Sequence, residues 1–168
     1  GHDVAIADAM LSSRSQSHPA RPVAPTSGVR LGDDHHLFWS LSFAVRRRTW
    51  EQLGGFDSGY EGYGAEDTDL GLRAKALGVP MAWSSGGTAY HQWHAPTRLD
   101  PRRTGEIVVN ARRFRARWGW WPMVGWLNEL ADLGLVLFEP QDSRVDRALR
   151  LSEHADAEAE AVPSTHTS

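Results

Sequence analysis

The stretch GYGAEDTDLGLRAKALG, residues 62–78, carries three carboxylates within four residues, Glu66, Asp67 and Asp69. A glycine-rich turn precedes them, and the apolar residues that follow recur at the spacing of one helical face. The pattern predicts a helix that begins near Glu66 and ends at Gly78. Acidic residues at a helix start are favoured by about 0.3–1 kcal/mol each through the helix dipole, so capping alone is one interpretation of the cluster.

Two local details favour a functional interpretation of this acidic cluster. The flanking GYEGYG segment supplies aromatic rings and glycines, which suit a wall that a ligand approaches closely. Glu66 and Asp67 point in different directions on a helix, so one can bind a ligand hydroxyl while the other accepts a proton. Asp69 stands four residues before Arg73, and we expect the two to pair on the helix surface for about 0.2–0.5 kcal/mol.

The composition is that of a globular protein without a strong charge preference. The 168 residues carry a formal net charge of −3, include eight Trp and contain no Cys. This length accommodates one domain with a real core. The absence of Cys excludes disulfides and thiolate chemistry, and the net charge does not favour nucleic acid. No apolar run approaches the roughly 20 residues that span a bilayer, so we expect a cytoplasmic protein without a membrane span.

Composition divides the chain into three parts. We expect residues 1–36 to be an extended connector, residues 37–140 to be packed, and residues 141–168 to be a frayed helix and a disordered acidic tail. The elements expected in the packed part are a buried strand over 37–45, a short helix capped by Thr49, the helix from Glu66 to Gly78, two strands over 79–85 and 88–94, a helix from Asp100-Pro101 and a last helix over 121–133.

The histidines of YHQWH, His91 and His94, are three residues apart. Residues at this spacing face opposite sides of a regular strand, so both reach one metal ion only if the chain turns between them. Two histidines without a third ligand nearby are more often structural than a zinc site. A divalent cation shared with distant carboxylates is the functional alternative.

The segment that follows is rich in arginine and tryptophan. Seven arginines and two acidic residues lie between Arg98 and Arg117. The solvated face of an amphipathic helix is the simpler interpretation, and a diphosphate or nucleic-acid surface is the alternative. The four Trp of RWGWWPMVGWL predict core packing for most of these rings, although sugar sites also stack on Trp.

Taken in order, the motifs GGFD, GYGAED and YHQWH resemble one family. Residues 37–135 are similar to the C-terminal catalytic segment of bacterial, family-two-like glycosyltransferases of the galactosyltransferase type. The resemblance implies an α/β chain that forms the C-terminal half of a GT-A (nucleotide-diphospho-sugar transferase) fold, with a short mixed sheet and flanking helices. It also implies inverting transfer of a hexose such as galactose from a nucleotide-sugar, as in a UDP-hexose, to a hydroxyl of a carbohydrate acceptor.

The resemblance assigns roles to individual residues of this chain. Asp67 matches the catalytic base that deprotonates the acceptor hydroxyl, and Glu66 matches the neighbour that binds acceptor hydroxyls. Tyr63 falls where related enzymes often have a Trp that lines the pocket. With Gly64 and Trp39 it is expected to form the acceptor wall, and Ala65 replaces a common Gly.

A metal ion and a second half of the enzyme are also implied. His91 matches the histidine that ligates Mn²⁺ (or Mg²⁺) in these enzymes, and His94 is the competing candidate. The nucleotide-binding half, with the Asp-x-Asp motif that holds the metal, is expected before Leu37, and Asp33-Asp34 follows no apolar strand and does not fit that motif. We therefore expect one half of a transferase, which binds metal only with the other half and forms a dimer or pairs with that half.

Two rival hypotheses belong to other classes of protein. One is a non-catalytic carbohydrate-binding or assembly module that uses the same aromatic wall without turnover. The other is a nucleic-acid surface on the arginine-rich helix, which predicts binding that weakens steeply with salt. We expect no nucleic-acid partner.

Overall fold

The computed structural model describes residues 25–40, 42–86 and 101–153. Small sheets and helices alternate in this part of the chain, which confirms an α/β architecture in that coarse sense. The elements in chain order are β1 (Val29–Gly32), a 3₁₀ helix (His35–Leu37), α1 (Arg47–Leu53), α2 (Glu66–Ala76), β2 (Met81–Ser84), α3 (Pro101–Trp118), α4 (Val124–Asp132), β3 (Val136–Phe138), α5 (Val145–Ala148) and β4 (Leu149–Leu151). Among the described helices, none is long and apolar enough to cross a membrane.

The strands form two small antiparallel pairs. β1 pairs with β2, with Val29 opposite Ser84, and β3 pairs with β4, with Val136 opposite Leu151. The expectation of a mixed sheet is therefore wrong for the described residues, where both sheets are two-stranded and antiparallel. β1 falls within residues 1–36, the expected extended connector. It forms a strand there because its backbone pairs with β2.

The strand predicted over residues 37–45 does not form. Leu37 closes the 3₁₀ helix, and residues 42–46 belong to no strand or helix. The apolar rings of this run pack on other rings instead of a neighbouring strand: the Phe43 centroid lies 5.2 Å from that of Phe38 and 6.2 Å from that of Phe56. Phe43 keeps 41% of its surface exposed, so the expected full burial is also wrong.

Helices α1 and α2 lie close to their predicted positions. α1 is preceded by Arg46, which makes no side-chain capping bond, so Thr49 lies inside the helix and is not its cap. Gly54 ends α1 in the left-handed conformation that glycine tolerates, with φ of 75°. α2 begins at Glu66 as predicted and ends at Ala76, two residues before Gly78, and Leu77 just after it is 51% exposed.

The core is built around α3. Ile107, Ala111 and Phe114 are each 0% exposed, as their helical spacing predicts. Leu127 of α4 belongs to one core cluster with Ile107 and Ala111. Phe114 packs with Ala65 and Leu72 in a second cluster. α4 begins at Val124 rather than at residue 121, since a proline and a left-handed methionine precede it.

The packed part extends beyond the boundary expected at residue 140. β4 returns along β3, and Ala148 and Leu149 are both 0% exposed in the core. Residues 141–153 therefore contain a short helix and a strand in place of the expected frayed helix. The tail predicted beyond them lies outside the described residues.

Gly71 on α2 allows the 3₁₀ helix to approach. A Cβ at this position would lie 2.4 Å from the carbonyl oxygen of His35 and 2.9 Å from Cβ of Phe38. We expect Gly71→Ala to lower the free energy of unfolding by about 1–3 kcal/mol, although alanine is the better helix former. Urea unfolding measures this loss.

Gly105 on α3 provides the matched control for that substitution. A Cβ there would meet nothing within 4 Å, so Gly105→Ala is expected to raise the free energy of unfolding by up to about 1 kcal/mol. Equal stabilisation by both substitutions would contradict the close approach of His35 to α2.

Candidate active site

The loop that leads into α2 has an unusual backbone. Gly62, Gly64 and Ala65 all have positive φ angles, of 72°, 106° and 74°. Glycine adopts this region freely, whereas for alanine the left-handed conformation costs roughly 1–2 kcal/mol. Ala65 also serves as the N-cap of α2 without a side-chain capping bond. Such a backbone persists only where the surrounding structure holds it, and it is enriched at functional sites.

Packing against α3 and the start of α4 holds this loop. A Cβ on Gly64 would lie 3.1 Å from both Sδ and Cε of Met123, itself left-handed with φ of 51°. Asn110 on α3 is 0% exposed. Its Nδ2 donates to the carbonyl oxygens of Glu61 at 2.9 Å and Tyr63 at 3.2 Å. The loop therefore has a defined shape directly before the acidic cluster.

The Asp67 carboxylate lies half-buried in the first turn of α2. It accepts hydrogen bonds from the backbone N–H of Thr68 at 2.6 Å, from the Thr68 hydroxyl at 3.3 Å and from the backbone N–H of Ser40. Burial raises the pKa of this carboxyl above its ordinary value, although the hydrogen bonds act in the opposite direction. A carboxylate with a raised pKa is a better proton acceptor than an exposed one.

Glu66 lies beside Asp67 and is also half-buried. Its Oε2 atom is buried without a hydrogen-bond partner. Burial raises the pKa of Glu66, and the neighbouring charge of Asp67 raises it further, against a hydrogen bond from the Gly64 backbone. A ligand hydroxyl is the kind of donor that would satisfy this oxygen.

Two aromatic residues of the predicted site flank the acidic cluster, Tyr63 along the chain and Trp39 through the fold. The Tyr63 ring stacks on Trp126, with centroids 5.6 Å apart and planes 8° from parallel. The Arg103 guanidinium also lies over the Tyr63 ring, 5.1 Å from its centroid. Trp39, 36% exposed, directly precedes Ser40, whose backbone binds Asp67.

The structure therefore brings five predicted site residues into one region. Tyr63, Gly64, Glu66 and Asp67 follow each other along the chain, and Trp39 joins them only through the fold. The sequence predicted core packing for most of the four Trp that include Trp126, and Arg103 entered it only as part of the arginine-rich segment. The crowding of Trp in residues 118–126 was the available signal for a stacking partner.

Asp69, by contrast, is not the surface residue that its sequence position suggested. It is 0% exposed. It accepts hydrogen bonds from Arg73 Nε at 2.8 Å, Arg117 at 2.8 Å and Trp118 Nε1 at 2.9 Å. Burial acts to raise the pKa of Asp69, but these hydrogen bonds outweigh it and hold the pKa below its ordinary value. The predicted pair with Arg73 is confirmed, and its surface position is wrong, because arginine from a distant helix compensates the buried charge.

Asp57, the acidic residue of GGFD, shares Arg117 with Asp69. It accepts hydrogen bonds from the backbone N–H of Gly59 at 2.9 Å and from Arg113 at 2.9 Å, and it pairs with Arg117 at 3.0 Å. The Gly59 bond, followed by the Arg113 bond, lowers the pKa of Asp57. Arg113 and Arg117, which lie in the arginine-rich segment expected to be a solvated helix face, thus connect α3 to the loop before α2.

The described residues do not fit a complete metal site. They contain no group of three or more His, Asp or Glu side chains that could hold an ion. His91 and His94, the predicted Mn²⁺ ligands, lie outside the residues that the structure describes.

Part of the chain is similar to known sugar-transferring enzymes. Residues 31–95 match a family described as the N-terminal domain of galactosyltransferase. Two curated proteins named validoxylamine A glucosyltransferase, from Streptomyces hygroscopicus subsp. jinggangensis (strain 5008) and subsp. limoneus, are each 31% identical over 77 residues. The aligned part covers 46% of this chain but only 18% and 17% of those proteins. No solved structure matches significantly.

These similarities support the expected resemblance to glycosyltransferases. Trp39, Tyr63, Gly64, Glu66 and Asp67 all lie within the matched residues 31–95. The expected C-terminal placement is not supported, since the matched family is described as an N-terminal domain. Residues 31–95 are similar to a galactosyltransferase domain, so this part of the chain is glycosyltransferase-like.

Proposed function

We propose that this chain carries the acceptor wall and the catalytic base of an inverting hexosyltransferase. One observation carries the proposal: in a glycosyltransferase-like segment, burial raises the pKa of Asp67 at a helix start beside an unpartnered Glu66 oxygen. The names of the similar proteins, a galactosyltransferase domain and a glucosyltransferase, favour a hexose as the transferred group. A UDP-hexose donor and a carbohydrate acceptor follow as the proposed substrates.

In this reaction Asp67 removes the proton of an acceptor hydroxyl within hydrogen-bond reach, about 2.6–3.2 Å. The acceptor oxygen forms a bond to the anomeric carbon of the donor hexose. The bond from that carbon to the nucleotide diphosphate breaks on the opposite face, and the diphosphate leaves with the electron pair. The new linkage therefore has the inverted configuration.

The other residues of the site bind and orient the acceptor. Glu66 accepts a hydrogen bond from a second acceptor hydroxyl, for which its unpartnered Oε2 is suited. Trp39 offers an aromatic face to the sugar ring, and Tyr63, whose ring is restricted by the stack on Trp126 and by Arg103, contributes its ring edge. Fixed contacts of this kind lower the entropic cost of reaching the reactive geometry.

The metal ion, the nucleotide-binding half and a cytoplasmic location are proposals that rest on the resemblance. His91, with His94 as the competitor, is the proposed ligand of Mn²⁺ (or Mg²⁺), together with residues of an Asp-x-Asp half. Such an ion would neutralise the leaving diphosphate.

The test is a transfer assay on the complete gene product. The protein is incubated with UDP-glucose or UDP-galactose, Mn²⁺ and a panel of sugar acceptors, and UDP release and product configuration are measured. We expect acceptor-dependent UDP release, an inverted linkage by NMR, and loss of turnover with EDTA. Acceptor binding without UDP release from either donor would contradict the proposal and favour the non-catalytic carbohydrate-binding module.

A further inference from the structure

We propose that Asp69 and Arg117 form a clamp that sets the direction in which Asp67 points. Arg117 is then a positioning residue that acts on the reaction through α2 without touching the substrate. The catalytic meaning of this inference rests on the proposed function, whereas the clamp itself rests on contacts within the described residues.

The clamp joins α2 to α3 and to the loop between α1 and α2. Arg117 lies 2.8 Å and 3.0 Å from the two carboxylate oxygens of Asp69 and 3.0 Å from Oδ2 of Asp57. Trp118, the next residue of α3, donates its indole N–H to Asp69 at 2.9 Å. The hydroxyl of Tyr60, in the loop, donates to the same carboxylate at 3.3 Å. Asp69 is thus held from two directions outside its own helix.

Once Asp69 is fixed against α3, helix geometry determines the side of α2 on which Asp67 lies. Successive residues of an α-helix are turned by about 100°, so Asp67 lies roughly 200° around α2 from Asp69. Locking Asp69 against α3 therefore carries Asp67 to the opposite face of α2. The backbone N–H of Ser40 binds Asp67 there.

The first turn of α2 is the part of the helix that most needs this anchor. The N–H of Asp69 closes the first turn by donating to the carbonyl of Ala65 at 2.9 Å. Ala65 holds a left-handed backbone, with φ of 74°, and provides no side-chain cap. Without Arg117, the buried Asp69 carboxylate would lose a charged partner and be drawn towards water, and this movement would unwind the turn that carries Asp67.

Arg113 offers a matched control one turn earlier on α3. It has the same charge and nearly the same side-chain exposure, 42% against 40% for Arg117. In the described residues Arg113 hydrogen-bonds Asp57 at 2.9 Å and lies 5.5 Å over the Tyr60 ring, and it makes no hydrogen bond to Asp69. Arg113→Gln therefore removes a charge from the same region and leaves the clamp in place.

The experiment is a ¹³C NMR titration of the Asp67 carboxyl in the wild type, Arg117→Gln and Arg113→Gln. Burial is the main cause that raises the pKa of this carboxyl, and hydrogen bonds from Thr68 and Ser40 act to lower it. Glu66 is the neighbouring titratable group, and burial, followed by the charge of Asp67, raises its pKa. Loss of a distant positive charge alone would raise the pKa of Asp67 slightly in both variants. Release of the first turn would hydrate Asp67 and lower its pKa towards the ordinary value, and we expect this only in Arg117→Gln.

Kinetics of the same variants provide a second readout. We expect Arg117→Gln to lower kcat by about 10- to 100-fold with the donor KM within twofold of wild type, because misplacing the base affects the chemical step. Arg113→Gln is expected to keep kcat within twofold. An Asp67 pKa that moves equally in both variants overturns the clamp.

Two further outcomes remain decisive. If the wild type shows no transfer, the proposed function fails, and the titration still decides the clamp. If Arg117→Gln does not fold, Arg117→Lys replaces it, because lysine keeps the charge but lacks the planar guanidinium that contacts Asp69 and Asp57 together. A folded Arg117→Lys protein with an unchanged Asp67 pKa would then overturn the inference.

Discussion

Replacing Asp67 by Asn is expected to lower kcat of the proposed transfer by about 10²–10⁴-fold, with little change in the donor KM. The amide has the shape of the carboxylate and can still accept the Ser40 N–H, but it cannot take the proton of the acceptor hydroxyl. Initial-rate kinetics with saturating donor measure this loss. Asp132→Asn, at the exposed end of α4, is the control and should keep the wild-type rate.

The pH profile of the wild type should report the same residue. A base must be deprotonated to act, so a raised pKa moves the acid-side loss of kcat/KM to a higher pH than an ordinary aspartate would give. This acid-side loss of kcat/KM should be absent in Asp67→Asn. If the same loss persists in the variant, the base is another group.

Stability separates a catalytic Asp67 from a structural one. Because the folded-state pKa of Asp67 is raised, its ionisation opposes folding, and this cost appears as pH rises through the unfolded value and is complete above the folded one. Asp67→Asn should therefore be at least as stable as the wild type at pH 7. A large loss of stability would show that Asp67 holds the fold together.

Asp69→Asn is expected to have the largest effect on stability of the substitutions considered, about 3 kcal/mol. Removing one partner of a buried ion pair typically costs about 3–5 kcal/mol. The lower end applies because Arg117 is 40% exposed and can regain water when its partner is lost. Urea unfolding at pH 7 measures the loss.

A second ion pair of the same spacing serves as the control for Asp69. Glu51 pairs with Arg47 at 2.8 Å, also four residues apart, but the side chains are 61% and 91% exposed. Glu51→Gln should change the free energy of unfolding by less than about 1 kcal/mol. Similar losses for both substitutions would contradict the buried role of Asp69.

The contribution of Asp69 should also depend on pH. Its folded-state pKa lies below the ordinary value, so the stabilisation is fully present above the unfolded pKa and is lost as pH falls through the folded one. The wild type should therefore lose more stability than Asp69→Asn on acidification through this window.

Local sequence determined the helices well. The spacing of Ile107, Ala111 and Phe114 predicted the buried face of α3, and Glu66 and Gly78 marked the region of α2. These features depend on residues within one or two turns of each other, which a sequence displays directly. The ordered motifs likewise indicated a glycosyltransferase, in agreement with the match over residues 31–95.

Tertiary structure alone decided the pairings. The run over residues 37–45 has the composition of a buried strand, yet β1 pairs with β2 across 48 intervening residues, from Gly32 to Met81. The acidic cluster shows the same limit: Asp67 and Asp69 are two residues apart and cannot be told apart by local pattern. One is bound by a backbone N–H from residue 40, and the other by an arginine 48 residues further along. Burial without a cation raises the pKa of Asp67, whereas at Asp69 burial is outweighed by Arg117 and Arg73, which hold the pKa down, and only the folded chain supplies Arg117.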